Sequence, residues 1–252
     1  MPYPLQSDIT SLLTTYQTTG FQNLASALGL AVQAAYTEAT LSLRASELVA
    51  NGGSAPPGGP IAGAKAVIAP GNFKSTYDWS SLWSKLSLNP TIFSDPSNLL
   101  ELFKAVSSSL QDAWSGYVTG LAGSVDVIGG VAAYVPPTPP AVPAGTPGTL
   151  TGATIVPTKL SSLSSVGSAL YQPNTLSLAV EAALPPLFRQ QEGKITPQLK
   201  GFLDDLSNMF STVHSTWTDR VFISNSTVSG TVSPPSGLLT GGVGSVLGVS
   251  QT

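Results

Sequence analysis

Three times the chain writes nearly the same glycine–proline phrase: SAPPGGPIAG ending at Gly63, TPGTLTG ending at Gly152, and PPSGLLTG ending at Gly241. Aligned on glycine, Gly59-Pro60-Ile61-Ala62-Gly63 matches Gly148-Thr149-Leu150-Thr151-Gly152 and Gly237-Leu238-Leu239-Thr240-Gly241, and both steps are 89 residues. Pro56-Pro57 and Pro234-Pro235 precede the outer copies, while the middle copy carries Pro136-Pro137 and Pro139-Pro140 further upstream. The physical reading is a stiff polyproline stretch, a turn in which glycine takes positive φ, and a short extended run. AKAVIAP (64–70), ATIVP (153–157) and GSVLGVS (244–250) supply that run, since Val and Ile favour strands.

Before each phrase the apolar spacing predicts a long helix. The first runs from about Ser7 to Ala50, with Leu24, Leu28, Val32, Ala35 and Leu43 near one face. Asp95-Pro96 opens the second and Thr196-Pro197 the third, each with proline at the first helical position. Trp114 in the second pairs with Trp217 in the third, and Tyr36 with Val32 fills the same place in the first. DWSSLWSKL (78–86) and TLSLAVEAAL (175–184) read as shorter helices between the units. The expected fold is therefore mainly α with short β-strands: three tandem helix–Pro/Gly connector–strand units whose amphipathic helices pack together, because one unit cannot bury its apolar face alone. The helices do not follow the 89-residue offset, so a triplication requires insertions that cancel.

VPPTPPAVPAGTPG (135–148) is the most linker-like segment, with six prolines in fourteen residues. It predicts an N-terminal helical lobe over 1–134, a linker or arm over 135–148 and a C-terminal helical lobe over 149–252, a single compact unit being the alternative.

Only 9% of residues are charged and the net charge is −3, against about 25% charged residues in a typical soluble domain. The ten Lys and Arg are scattered singly, with no basic stripe to neutralise phosphates, so nucleic acid is not an expected partner. Ser, Thr, Gly and Asn replace charge on the surface, which suits a protein packed against partners or living outside cells. There is no Cys, hence no disulfide and no thiolate zinc site. MPYPLQSDIT shows no basic region followed by an apolar one, and the longest apolar-leaning stretch, 24–36, is too short to span a bilayer. Neither a signal peptide nor a membrane partner is expected.

Catalytic sets are hard to assemble. His214 is the one histidine, and no G-x-S-x-G elbow accompanies it. Asp204 and Asp205 are adjacent on a helix and point about 100° apart, which is poor for joint chelation. Glu101, Glu181 and Glu192 read as helix-surface or helix-end charges. GGVGSVLG (241–248) lacks the Lys-Ser/Thr of a phosphate loop. Asn225-Ser226-Thr227 has the form of a glycosylation sequon. The expectation is no catalytic, cofactor-binding or metal-binding residues and no cofactor.

GGSAPPGGPIAG, VPPTPPAVPAGTPG and VSPPSGLLTGG, attached to Ser/Ala-rich helices, resemble in style the minor structural proteins of tailed-phage virions and related contractile particles. The resemblance implies a non-enzymatic structural protein of a virion or virion-like particle, at the neck, baseplate or head surface. It would be made in the cytoplasm, would form homo-oligomers and would bind other subunits of the particle. Interface candidates are Pro56, Pro57, Pro136, Pro137, Pro139, Pro140, Pro234, Pro235, Trp79 and Trp83. An extracellular binding or adhesion module is the alternative, with Tyr77, Trp79 and Trp83 as binding aromatics unless the two Trp form the apolar face of a short helix. A glycan-acting enzyme ranks below both.

Overall fold

The computed structural model describes residues 19–85, 96–137, 145–189 and 193–251. The chain is not mainly α with short strands. Its strands run to fifteen residues and six of them close an antiparallel barrel. In chain order the long elements are helix α1 (Thr19–Ser42), strands β1 (Arg44–Ser54) and β2 (Ile61–Ile68), helix α2 (Pro96–Gly120), strands β4 (Leu121–Val135) and β5 (Thr146–Ile155), helices α3 (Pro173–Ala183) and α4 (Pro197–Arg220), and strands β8 (Val221–Ser233) and β9 (Leu238–Gln251). Two-residue strands β3 (Phe73–Lys74), β6 (Thr158–Lys159) and β7 (Ser164–Ser165) pair with β1, β8 and β4.

The first helix was expected to reach Ala50, yet it stops at Ser42 and residues 44–54 form β1. A second strand also lies ahead of each glycine–proline phrase, so the unit is helix–strand–turn–strand. Only Leu43 separates α1 from β1, and α2 and α4 pass directly into β4 and β8. The signal was present in VDVIGGVAAYV (125–135), where Val125, Val127, Ala132 and Tyr134 face inward with exposed residues between them.

Two compact units result, and each is interleaved along the chain rather than divided at 135–148. The helical unit takes residues up to Ala39, Thr76–Tyr117 and Val166–Trp217; the barrel unit takes Thr40–Ser75, Val118–Ser165 and Thr218–Thr252.

In the barrel unit the three hairpins β1–β2, β4–β5 and β8–β9 alternate around the circle. Each returning strand pairs with the outgoing strand of the next hairpin: β2 with β4, β5 with β8, β9 with β1. Closure leaves none of the six with a free edge. The interior is filled by Leu48, Ala50, Ala64, Ala66, Val127, Ala153, Val228, Leu239 and Val246, small enough for a narrow barrel. Thr149, Thr151, Thr154, Thr227, Ser229 and Thr231 lie on the exposed face, which is where the hydroxyl-rich composition goes.

The glycine–proline phrases open the three returning strands. Gly63, Gly152 and Gly241 have φ of 76°, 70° and 60°, and the register with the neighbouring hairpin shifts at each of them. Opposite them, a Cβ on Gly53 would lie 2.5 Å from the Ala62 carbonyl oxygen, and one on Gly130 2.8 Å from that of Thr151. A bulge and a bare glycine therefore interlock at the same level of the hairpins.

In the helical unit, the buried positions of α1 between Leu28 and Thr40 recur in α2 and α4 at successive offsets of 78 and 100. Tyr36, Trp114 and His214 are equivalent by this match, and Tyr117 is the equivalent of Trp217. The Trp114–Trp217 pairing expected from the sequence is thus three residues out of register. The unequal helix offsets and the equal 89-residue steps are reconciled in the hairpins: the turn between Gly130 and Gly152 is longer than those between Gly53 and Gly63 or Gly230 and Gly241.

Candidate interaction surface at the hairpin end of the barrel

Because the three outgoing strands run one way and the three returning strands the other, all three proline-bearing turns lie at one end of the barrel. The turns are tied together there. Gly58 N–H donates to the Ala132 carbonyl at 2.7 Å and Ala132 N–H to the Gly59 carbonyl at 3.1 Å, laying the first turn on β4. The buried Tyr134 hydroxyl donates to the Ala55 carbonyl at 3.0 Å and lies 3.4 Å from that of Pro235, so one side chain of the second hairpin reaches both others. A Cβ on Gly237 would lie 1.9 Å from the Ala55 carbonyl oxygen, and one on Gly145 2.7 Å from Cγ of Pro234. The turns approach one another as closely as bare backbone allows.

Six of the ten interface candidates meet at this end. Pro56, Pro57, Pro136 and Pro235 are exposed; Pro137 and Pro234 are half-buried. Pro139 and Pro140 lie outside the described residues. The remaining two, Trp79 and Trp83, belong to the helical unit.

Apolar side chains that sequence reading did not single out join the prolines. Val131, Val135 and Leu238 are 53%, 58% and 42% exposed. No Asp, Glu, Lys or Arg occurs in 48–64, 127–157 or 221–252, and the described residues of these stretches belong to the three hairpins. The nearest charges on the β2–β4 pair are Lys65 and Asp126, which neutralise each other at 2.7 Å. The charge-free stretches were visible in the sequence, but only the barrel places all three at one end.

Trp79 is not a surface residue: it is 0% exposed, with Tyr36 at 5.1 Å, Tyr77 at 5.3 Å and Trp114 at 6.0 Å between ring centroids. Trp83 is half-buried and stacks on Phe103 at 4.4 Å. The segment 79–85 is a 3₁₀ helix whose tryptophans pack inward. Trp79 thus lies on the apolar face of a short helix, the alternative to an exposed interface or binding aromatic.

Polar groups elsewhere in the helical unit are engaged with one another. An open groove of about 320 Å³ is lined by Asp78, Ser80, Lys104, Ser107, Gln111 and Asp112. The Asp78 carboxylate accepts the Ser80 hydroxyl and N–H, which hold it below its ordinary range. The fully buried Ser177 donates to Asp204 and accepts from the Lys200 ammonium at 3.0 Å. Burial pushes the Asp204 carboxyl up, but the bonds from Ser177 and Lys200 and the Lys200 charge outweigh it and leave the group lowered. Lys200 also lies 3.7 Å from Glu181. Through these contacts Ser177 and Lys200 tie α3 to α4. Glu101 pairs with Lys104 on the α2 surface, and Glu192 lies outside the described residues. Among the described residues no group of three or more His, Asp or Glu side chains could hold a metal ion. GGVGSVLG lies within β9, where no helix N-terminus is available to a phosphate, and Ser226 of the sequon points inward, accepting Ile155 N–H at 2.8 Å. No protein-family model, curated protein or solved structure matches this chain.

Proposed function

We propose that the chain is a non-enzymatic assembly protein of a virion or virion-like particle, and that the hairpin end of the barrel is the face it applies to a neighbouring subunit. The observation that carries this reading is the coincidence, at one end of one barrel, of three charge-free turns with exposed Val131, Val135, Leu238 and four exposed prolines. Cores of protein–protein interfaces are depleted of charge. Exposed apolar side chains gathered with prolines at one end of a barrel whose outer face is otherwise rich in hydroxyls mark a place suited to being covered. Proline and the Tyr134 hydrogen bond restrain the first and third turns, which lowers the conformational freedom lost on docking.

The test has two arms. Mass spectrometry of particles purified from the source material should find the chain at a fixed stoichiometry. Leu238→Glu and Val131→Glu should each weaken its retention on those particles by at least about tenfold, because a carboxylate in an apolar contact is desolvated without a partner, while leaving the melting temperature within a few degrees. A chain absent from particles, or variants retained as well as the natural protein, would defeat the proposal.

A further inference from the structure

His214 is the chain's single histidine, and it is built into the middle of the helical unit. It lies on α4 where the equivalent positions of α1 and α2 carry Tyr36 and Trp114. Its ring stacks on Tyr171 with centroids 3.6 Å apart and planes 3° from parallel. Tyr117 meets it edge-on at 4.5 Å, and Trp217 and Tyr36 lie at 5.6 and 6.4 Å. The residue is 5% exposed, and neither Nδ1 nor Nε2 has a hydrogen-bond partner.

We propose that His214 makes the helical unit an acid-responsive switch, closed around the neutral imidazole and opened when the imidazole takes a second proton. An imidazolium carries two N–H donors. In this cage neither nitrogen has a hydrogen-bond partner, and attraction to the surrounding rings does not replace the two hydrogen bonds to water that burial removes. The titratable groups facing His214 are the phenols of Tyr36 on α1, Tyr117 on α2 and Tyr171 on the 3₁₀ turn Val166–Tyr171. Burial raises all three, so each is neutral wherever His214 titrates. Among the described residues no carboxylate acts on the ring to stabilise the cation, and burial is the cause that pulls its pKa from 6.5 to about 3. The sign follows: the stabilisation is complete above the unfolded value of 6.5 and is lost as pH falls from there toward 3, by about tenfold in the opening equilibrium per pH unit.

Two properties make the experiment clean. All four tryptophans, at 79, 83, 114 and 217, belong to the helical unit, so their fluorescence reports on it alone. One histidine also means one imidazole resonance in the NMR spectrum. Denaturant titrations read by tryptophan emission at pH 7 and 4.5 should show an opening constant that rises about 100-fold more for the natural protein than for His214→Phe, which keeps the stack and cannot titrate. The difference between the two proteins removes the contribution of the carboxylates. Should His214→Phe fail to fold, the imidazole resonance of the natural chain decides. It must stay at its neutral position in the folded protein down to pH 5. A folded-state resonance that titrates near 6.5, or equal pH responses in the two proteins, overturns the proposal.

Discussion

The Tyr134 hydroxyl donates to the Ala55 carbonyl at 3.0 Å, joining two hairpins whose bonded residues are 79 positions apart. The same oxygen lies 3.4 Å from the Pro235 carbonyl of the third hairpin. Tyr134→Phe keeps the ring and deletes the donor. It should lower barrel stability by about 1 kcal/mol, rising toward ~3 if the Ala55 carbonyl finds no water. Hydrogen exchange in 52–62 and 232–240 should accelerate with it. Unchanged exchange in both segments would show that Tyr134 does not tie the turns.

The glycines should separate into three classes on substitution by alanine. Gly63, Gly152 and Gly241 have positive φ, and an added Cβ would meet nothing closer than an ordinary contact at 3.7 Å, so each should cost about 1–2 kcal/mol from backbone conformation alone. Gly53 and Gly130 combine positive φ with backbone atoms under 3 Å from a Cβ and should cost more. Gly201, within α4 and facing open space, should instead stabilise by roughly 0.5–1 kcal/mol. Thermal denaturation of the six variants orders them, and the interlocked bulge is refuted if Gly130→Ala is as mild as Gly152→Ala.

Trp79→Ala should remove about 3–5 kcal/mol from the helical unit, since a fully buried indole leaves a cavity among Tyr36, Tyr77 and Trp114. Trp83→Ala, from a half-buried position, should cost less. Chemical denaturation followed by far-ultraviolet circular dichroism compares them. Equal and small effects would return both residues to the list of surface binders.

Ser177→Ala should raise the Asp204 carboxyl toward its ordinary value by taking away a hydrogen bond to the charged form. The sign can be checked directly. Asp204 is lowered in the folded chain, so its stabilisation is present above the unfolded value near 3.8 and disappears as pH falls through the folded one. The variant should therefore lose part of its stability advantage at pH 6 and little at pH 2. Carboxyl carbon shifts in an NMR titration read the change, and a midpoint identical to that of the natural chain would place the determinant elsewhere.

Helix starts were legible because they are local. Pro96 and Pro197 each open a helix where sequence reading put it, and Thr196 Oγ1 accepts Leu199 N–H at 3.2 Å as a capping residue. The extended character of 64–68, 153–155 and 244–250 was legible from Val and Ile. The outgoing strands were not recognised, although Val125 and Val127, then Ala132 and Tyr134, alternate with exposed residues, and the first helix was carried through Arg44 to Ala50 with no breaker to stop it. Nothing in the local sequence separates a helix end from a strand start when no loop intervenes.

Nearest-neighbour chemistry was enough to specify the turns. Glycine at 63, 152 and 241 adopts a backbone that other residues resist, and proline stiffens the approach to it wherever the chain folds. Which turns become neighbours is a matter of long-range pairing. Strand β2 bonds to β4 rather than ending as a free edge, and β9 returns to β1 to close the circle, because each open edge would leave a row of backbone donors and acceptors unpaired. That closure brings three hairpins from scattered charge-free stretches into one barrel. In the helical unit, packing sets His214 level with Tyr36 and Trp114, an equivalence that matching tryptophan with tryptophan had concealed.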